Sequence, residues 1–274
     1  LQWMGGIGII VMAIMILPFL RVGGMQLFRS ESSDRSEKLL PSLGAIVQQI
    51  TLIYLLLTLA CAMLLIAAGM ETFDAVNHAF AAVATGGFST RDASVGAFAN
   101  PAAEWTIIGF MLLGSLPFIR YVAALNGRPL DLIRDTQIRF FLGSLLLAVL
   151  VMTSWLALGL GRPLLEALRR AAFNVVSIAT TTGFASEDYT LWGAPAAALM
   201  LAVMITGGCT GSTTGGIKAF RFEILWISAR IYLQGLFQPN RVGRATYAGR
   251  PIGTDIVIAV LSFVFFFMGS WGLL

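Results

Sequence analysis

Long apolar stretches alternate with short amphipathic ones along this chain. Residues Gly5 to Leu20 are apolar and glycine-rich, and Pro18 disfavours helix for the residue before it. Leu43 to Met70 is long enough to cross a bilayer, whose core takes about 20 apolar residues per helix. Glu71 to Ala84 is amphipathic and too short to cross. Ala102 to Leu125 predicts another span with a kink at Pro117, and Arg128 to Asp135 is a charged connector. Ile138 to Leu160 predicts a span, after which Pro163, suited to a first helical turn, opens a second short helix running to Ala179. Leu191 to Thr206 is apolar, but 16 residues at about 1.5 Å each fall short of a roughly 30 Å core. A glycine-rich run from Gly207 to Gly216, an amphipathic stretch from Ile217 to Leu236, and an apolar segment from Ile252 to Leu274 complete the pattern.

The order span, short helix, loop, span therefore occurs twice, over 43–125 and 138–236. Residues 1–20 read as the second span of a preceding unit, and 252–274 as the start of a following one. Such repetition predicts an all-α polytopic membrane protein made of four units, of which the second and third are whole. The chain opens inside one apolar run at Leu1 and stops inside another at Leu274, so it reads as an interior fragment. A function that needs a closed ring of units is then not complete within it.

Composition agrees with the membrane reading. The chain is 57% hydrophobic and 12% charged, against about 25% charged in soluble domains, and its mean hydropathy is +0.83. A net charge of +4 and a pI near 9.4 would suggest nucleic acid in a soluble protein. Here the basic residues mark loops on the cytosolic side, and no nucleic-acid partner is expected. Of the 18 basic residues, 14 fall in three stretches: Arg21, Arg29, Arg35 and Lys38; Arg120, Arg128, Arg134 and Arg139; Lys218, Arg221, Arg230, Arg241, Arg244 and Arg250. Only Arg91, Arg162, Arg169 and Arg170 lie in the segments that hold the short helices and their loops, which places those segments toward the outside. The two cysteines, Cys61 and Cys209, have neither a disulfide pattern nor metal-ligand spacing.

Each short helix leads into a T-x-G-F run: Thr85-Gly86-Gly87-Phe88 and Thr181-Thr182-Gly183-Phe184, with Gly87 and Gly183 96 residues apart. A pore that selects a bare cation must replace the ion's water with oxygens, and backbone carbonyls along a short extended run can do so. Glycine lets successive carbonyls turn toward one axis. The threonines can add a hydroxyl at the inner mouth, and Phe88 and Phe184 can pack behind the strand to hold its width. The C-terminal ends of the short helices would aim partial negative charge at the pore. Irregular backbone at membrane depth is tolerated only where it lines a cavity or is buried. One such run would suit close helix packing equally well; two, each after a short helix, favour a potassium filter.

Three stretches carry a specific resemblance: Ala84 to Thr90, Thr180 to Ser186, and Gly207-Gly208-Cys209-Thr210-Gly211-Ser212-Thr213-Thr214-Gly215-Gly216 followed by Ile217-Lys218. Together with the opening Gln2 to Ile10, they resemble the Trk/Ktr/HKT family of potassium transporters, on its bacterial TrkH branch. The resemblance implies four span–pore–span repeats around one pore and a homodimer in the bacterial inner membrane. It also implies a cytosolic nucleotide-binding regulatory subunit (TrkA/KtrA-like), potassium as the transported ion and no cofactor in this chain. The first pore loop and most of the fourth repeat lie outside the sequence. In the family, the first loop's glycine position bears on the choice between potassium and sodium. Whether transport is channel-like or coupled to protons or sodium stays open.

The glycine-rich run interrupts an apolar segment with five glycines, each costing a helix roughly 1 kcal/mol relative to alanine. An unwound loop is expected, with Thr210, Ser212, Thr213 and Thr214 able to cap the broken ends. The expectation is an intramembrane gate over Gly207–Gly216, with a pairing role for Lys218. The run lacks the lysine and hydroxyl placement of a phosphate-binding loop, and no nucleophile or acid–base pair converges on it, so an enzyme is not expected. His78, the lone histidine, reads as a packed helix residue, Glu71 and Asp74 as first-turn acids, and Glu104 and Arg91–Asp92 as solvated loop. Glu187 and Asp188 suit either cation attraction or plain loop surface.

Overall fold

The structure is a computed structural model that describes residues 1–15, 43–238, 246–247 and 250–273. The basic stretch 21–38 and the residues Arg241 and Arg244, on which part of the expected orientation rests, lie outside them.

The described residues are predominantly helical. Helix α1 (Gln2–Met15) precedes α2 (Leu43–Ala67), α3 (Thr72–Val83), α4 (Pro101–Ser115), α5 (Phe118–Leu125) and α6 (Leu130–Arg134). There follow α7 (Thr136–Ser154), α8 (Leu164–Ala179), α9 (Ala194–Ile205), α10 (Ala219–Phe237) and α11 (Thr254–Gly272). A single π turn, Trp155–Gly159, extends α7, and strands β1 (Thr246–Tyr247) and β2 (Arg250–Pro251) form one antiparallel pair. The short helices match the expected amphipathic segments, α3 for Glu71 to Ala84 and α8 for Pro163 to Ala179.

Among the described residues, two helices are long and apolar enough to cross a bilayer, Gly44–Ala67 and Thr136–Gly159. The third expected span is not a kinked helix. It breaks between α4 and α5 by 89°. Leu116 and Pro117 both take extended angles (ψ 157° and 120°), because proline lacks the amide and restricts the residue before it. The break frees the last carbonyls of α4, and these become acceptors for another part of the chain.

The helix starts follow local chemistry. Asp135 caps α7 by accepting from the amides of Gln137 (2.9 Å) and Ile138 (3.2 Å), and its other oxygen takes Arg120 at 2.6 Å. Asn100 caps α4 through the amides of Ala102 (3.0 Å) and Ala103 (3.2 Å), and its amide group ties back to the Ala68 carbonyl at 2.7 Å. Asn100→Ala is expected to cost about 1 kcal/mol, read as a lower Tm of the detergent-solubilised full-length protein, with transport per folded molecule unchanged.

Helix α8 packs on both α7 and α4, while α3 packs on α2 and α4. This brings the ends of α3 and α8 together in one core, in which Phe173, Phe184, Ile107, Met111 and Tyr54 are fully buried. Beside it, Phe220, Ile224, Tyr247 and Val260 form a second small cluster between α10 and α11, where Arg221 lies 3.9 Å from the Phe263 ring centre.

Candidate functional site

The two T-x-G-F loops leave their helices with the same backbone geometry. After α3, the Thr85 amide bonds the Ala82 carbonyl (3.1 Å) and the Gly86 amide the Ala81 carbonyl (2.7 Å). After α8, the Thr181 amide bonds Ile178 (2.9 Å) and the Thr182 amide bonds Ser177 (2.8 Å). Thr85 and Thr181 take φ of 49° and 55°, and Gly87 and Gly183 take 70° and 91°. A β-branched residue at positive φ is a genuine outlier, and its occurrence at the same place in both loops marks one shared, strained turn. Each turn sits at a helix C-terminus, where the dipole favours a cation.

The loops lie side by side. A Cβ on Gly87 would fall 2.0 Å from the Thr182 carbonyl oxygen, so only glycine allows the approach. Beyond them, the Gly96 amide bonds the Ala185 carbonyl at 3.0 Å, and the Ala185 amide bonds the Ser94 hydroxyl at 3.2 Å. The phenylalanines differ. Phe184 is buried and stacks on His78 of α3, ring centres 5.5 Å apart, whereas Phe88 is 71% exposed. Phe184 is thus packed inside the protein, whereas no helix of the described residues covers Phe88.

The glycine-rich run folds back beneath both loops. Its neck is closed by a bridge between Thr206 and Ile217, with the Gly207 amide on the Ile217 carbonyl at 2.8 Å. A Cβ on Gly207 would meet the Gly215 carbonyl at 2.2 Å, and one on Gly208 the Ser115 carbonyl at 2.9 Å. Gly211 and Gly216 take φ of 77° and 69°. The run is received by the α4–α5 break: Cys209 and Thr213 donate their amides to the Ser115 and Gly114 carbonyls (3.0 and 3.2 Å), and the Phe118 amide bonds the Gly211 carbonyl (3.0 Å). Gln137 accepts from the Thr210 amide at 3.1 Å, and Ser212 shares a 2.8 Å bond with the Thr214 hydroxyl. Lys218 turns its ammonium back onto the Thr214 carbonyl and, at 3.0 Å, the Thr214 hydroxyl.

Both loop threonines touch this run. The Thr85 hydroxyl lies 3.1 Å from the Thr213 hydroxyl, and the Gly215 amide donates to the Thr181 hydroxyl at 2.7 Å. Thr213 in turn reaches the carbonyls of Val83 (3.2 Å) and Gly114 (3.0 Å). Thr85, Thr181 and the glycine-rich run, all singled out in the sequence, are thus connected by hydrogen bonds.

The TrkH family of cation transport proteins matches residues 1–270. The chain belongs to the TrkH family. It is 46% identical over 268 residues to the Trk system potassium uptake protein TrkI of Halomonas elongata, covering 97% of this chain and 54% of that protein. With the Trk system potassium uptake protein TrkH of Escherichia coli it shares 39% over 267 residues, covering 96% and 55%. The crystal structure of the potassium transporter TrkH from Vibrio parahaemolyticus superposes with a TM-score of 0.85 at 34% identity, over 96% of this chain and 54% of that one. The chain therefore spans about half the length of the relatives it matches.

Several residues of this TrkH-family chain have roles that composition concealed. Glu104, expected in solvated loop, is fully buried at the start of α4 and holds Arg169 (2.6 Å) and Arg170 (3.4 Å) of α8. Asp74 is buried too and takes the Thr90 hydroxyl at 2.5 Å and Arg91 at 2.9 Å. Glu187 is held by Arg162 and by the Trp192 indole at 2.7 Å, which leaves Asp188 as the exposed acid of the pair. The hydroxyl and amide of Thr190 keep the Asp188 carboxyl below its ordinary range. His78 is fully buried, as expected of a packed helix residue. For the Asp74–Arg91 pair a signal lies in the 96-residue spacing: shifted by that amount, the sequence sets Asp74 against Arg170 and Arg91 against Glu187, acid and base exchanged, whereas the Glu104 pairing has no such signal.

Proposed function

We propose that this chain carries two of the four filter loops, and the gate, of a potassium uptake protein of the bacterial inner membrane. The observation that carries the reading is the shared turn: threonine at positive φ, glycine at positive φ two residues on, each at the C-terminal end of a short helix, with the two loops in contact. Such a pair suits successive carbonyls lining one axis. The relatives' names supply the ion, potassium. The filter would comprise Thr85 to Phe88 and Thr181 to Phe184, facing outward. Gly207–Gly216, hydrogen-bonded beneath both threonines, would be the gate, with Lys218 fastening its exit.

Four units around one axis also account for Phe88. Phe184 packs on the short helix of the preceding unit, so Phe88 would pack on a helix before Gln2. The relatives are named as members of a Trk system, and the partners we assign are a second copy and a cytosolic nucleotide-binding subunit. The test is growth at limiting potassium of uptake-deficient bacteria that express the full-length protein. Rescue supports the reading; absence of rescue with the protein present in the membrane overturns it.

A further inference from the structure

The segment leaving each loop is tied to its own short helix by two side chains one turn apart. In the first, the His78 ring bonds the Ser89 hydroxyl at 2.9 Å, while Asp74 takes Thr90 at 2.5 Å and Arg91 at 2.9 Å. In the second, Asn174 bonds the Ser186 hydroxyl at 2.8 Å and accepts the Ser186 amide at 3.3 Å. Arg170 donates to the Ser186 carbonyl at 2.8 Å and stands 3.6 Å from Glu187. His78 and Asn174 occupy equivalent positions, and each also bonds the carbonyl four residues back, at 2.7 and 2.9 Å. Asp74 and Arg170 are equivalent as well, as are Arg91 and Glu187. The two units share the arrangement while its charge is inverted.

We propose that Asp74 and His78 on one helix, and Arg170 and Asn174 on the other, are positioning residues that set the outer half of each filter strand and thereby the preference for potassium over sodium. The inference rests on the filter reading above. Carbonyl placement decides which ion is matched, and charge-assisted hydrogen bonds are the stiffest polar restraints available to hold it. Inversion makes each brace fit its own loop, since the wrong pairing would set arginine against arginine or acid against acid. Asp74 and Glu187 are then spent on binding the side chains of Thr90, Arg91, Arg162 and Trp192 rather than on attracting ions. The first brace also reaches its neighbour, because His78 stacks on Phe184 of the second loop.

The experiment measures potassium and sodium uptake by the full-length protein at matched membrane levels. Asp74→Asn keeps the shape but weakens the two charge-assisted bonds; it should retain measurable uptake and lower the potassium-to-sodium ratio by about threefold or more. Asp74→Arg alone should lower it further, and Asp74→Arg with Arg91→Glu, which installs the second unit's pairing in the first, should bring it back toward the parent value. An unchanged ratio in both Asp74→Asn and His78→Ala overturns the proposal. So does a folded double variant no more selective than Asp74→Arg. The filter reading fails by a different result, full uptake in Gly87→Ala.

Discussion

Gly87→Ala is expected to abolish potassium uptake in a protein that still reaches the membrane. Two costs coincide at this position. Its φ of 70° lies in the left-handed region, where a residue with a side chain pays roughly 1–2 kcal/mol. That alone would leave a working fraction. The second cost is the decisive one: the new methyl carbon would sit 2.0 Å from the Thr182 carbonyl oxygen, which is backbone of the neighbouring loop and cannot rotate away. Either loop must move, and both belong to the proposed filter. Gly183 has the same left-handed backbone at φ 91°, yet the space beside it is open among the described residues. If four units surround one axis, a further loop stands there in the full-length protein, and Gly183→Ala should be as damaging as Gly87→Ala. Uptake assays of both variants check this; near-normal uptake in Gly183→Ala would argue against a loop on that side.

Much of this site is legible in local pattern alone. The short helices follow from amphipathic length, and the loops from glycine and threonine where a helix must stop. The unwound run follows from five glycines in an apolar segment. What sequence conceals depends on partners distant along the chain. Pro117 signals a bend, but the angle of 89° and the use of the Gly114 and Ser115 carbonyls as a seat for Cys209 and Thr213 require the returning loop. Glu104, a single acid at a helix start, looks like surface until Arg169 and Arg170 of another helix are brought onto it. Burial of such a group is tolerable only when paired, and its pairing partners lie 65 and 66 residues away.

Thr213→Val is expected to raise ion flux, because the Thr213 side chain ties the proposed gate to both α4 and the first T-x-G-F loop. Valine keeps the shape and removes the hydroxyl. In the structure that oxygen lies 3.0 Å from the Gly114 carbonyl, 3.2 Å from that of Val83, and 3.1 Å from the Thr85 hydroxyl. One hydroxyl carries one proton, so it serves the two carbonyls in turn rather than together. The Thr85 hydroxyl likewise divides one proton, between Thr213 and the Ala84 carbonyl at 2.8 Å. The loss is therefore one to two hydrogen bonds, roughly 1–2 kcal/mol at about 1 kcal/mol each. A change of that size shifts a closed-to-open equilibrium by about five- to thirtyfold. Flux should rise by that factor if the open state is rare, and by less as it approaches saturation. Deleting Gly207–Gly216 should have the larger effect and remove regulation with it. Thr213→Ser is the control, since it keeps the hydroxyl and should keep flux near the parent level. Because Thr85 and Thr181 both contact the run, its departure would also release the threonine end of each proposed filter loop. Potassium flux through full-length protein in liposomes decides the matter: unchanged flux and unchanged regulation in the deletion variant would show that the run is only a passive break in the helix.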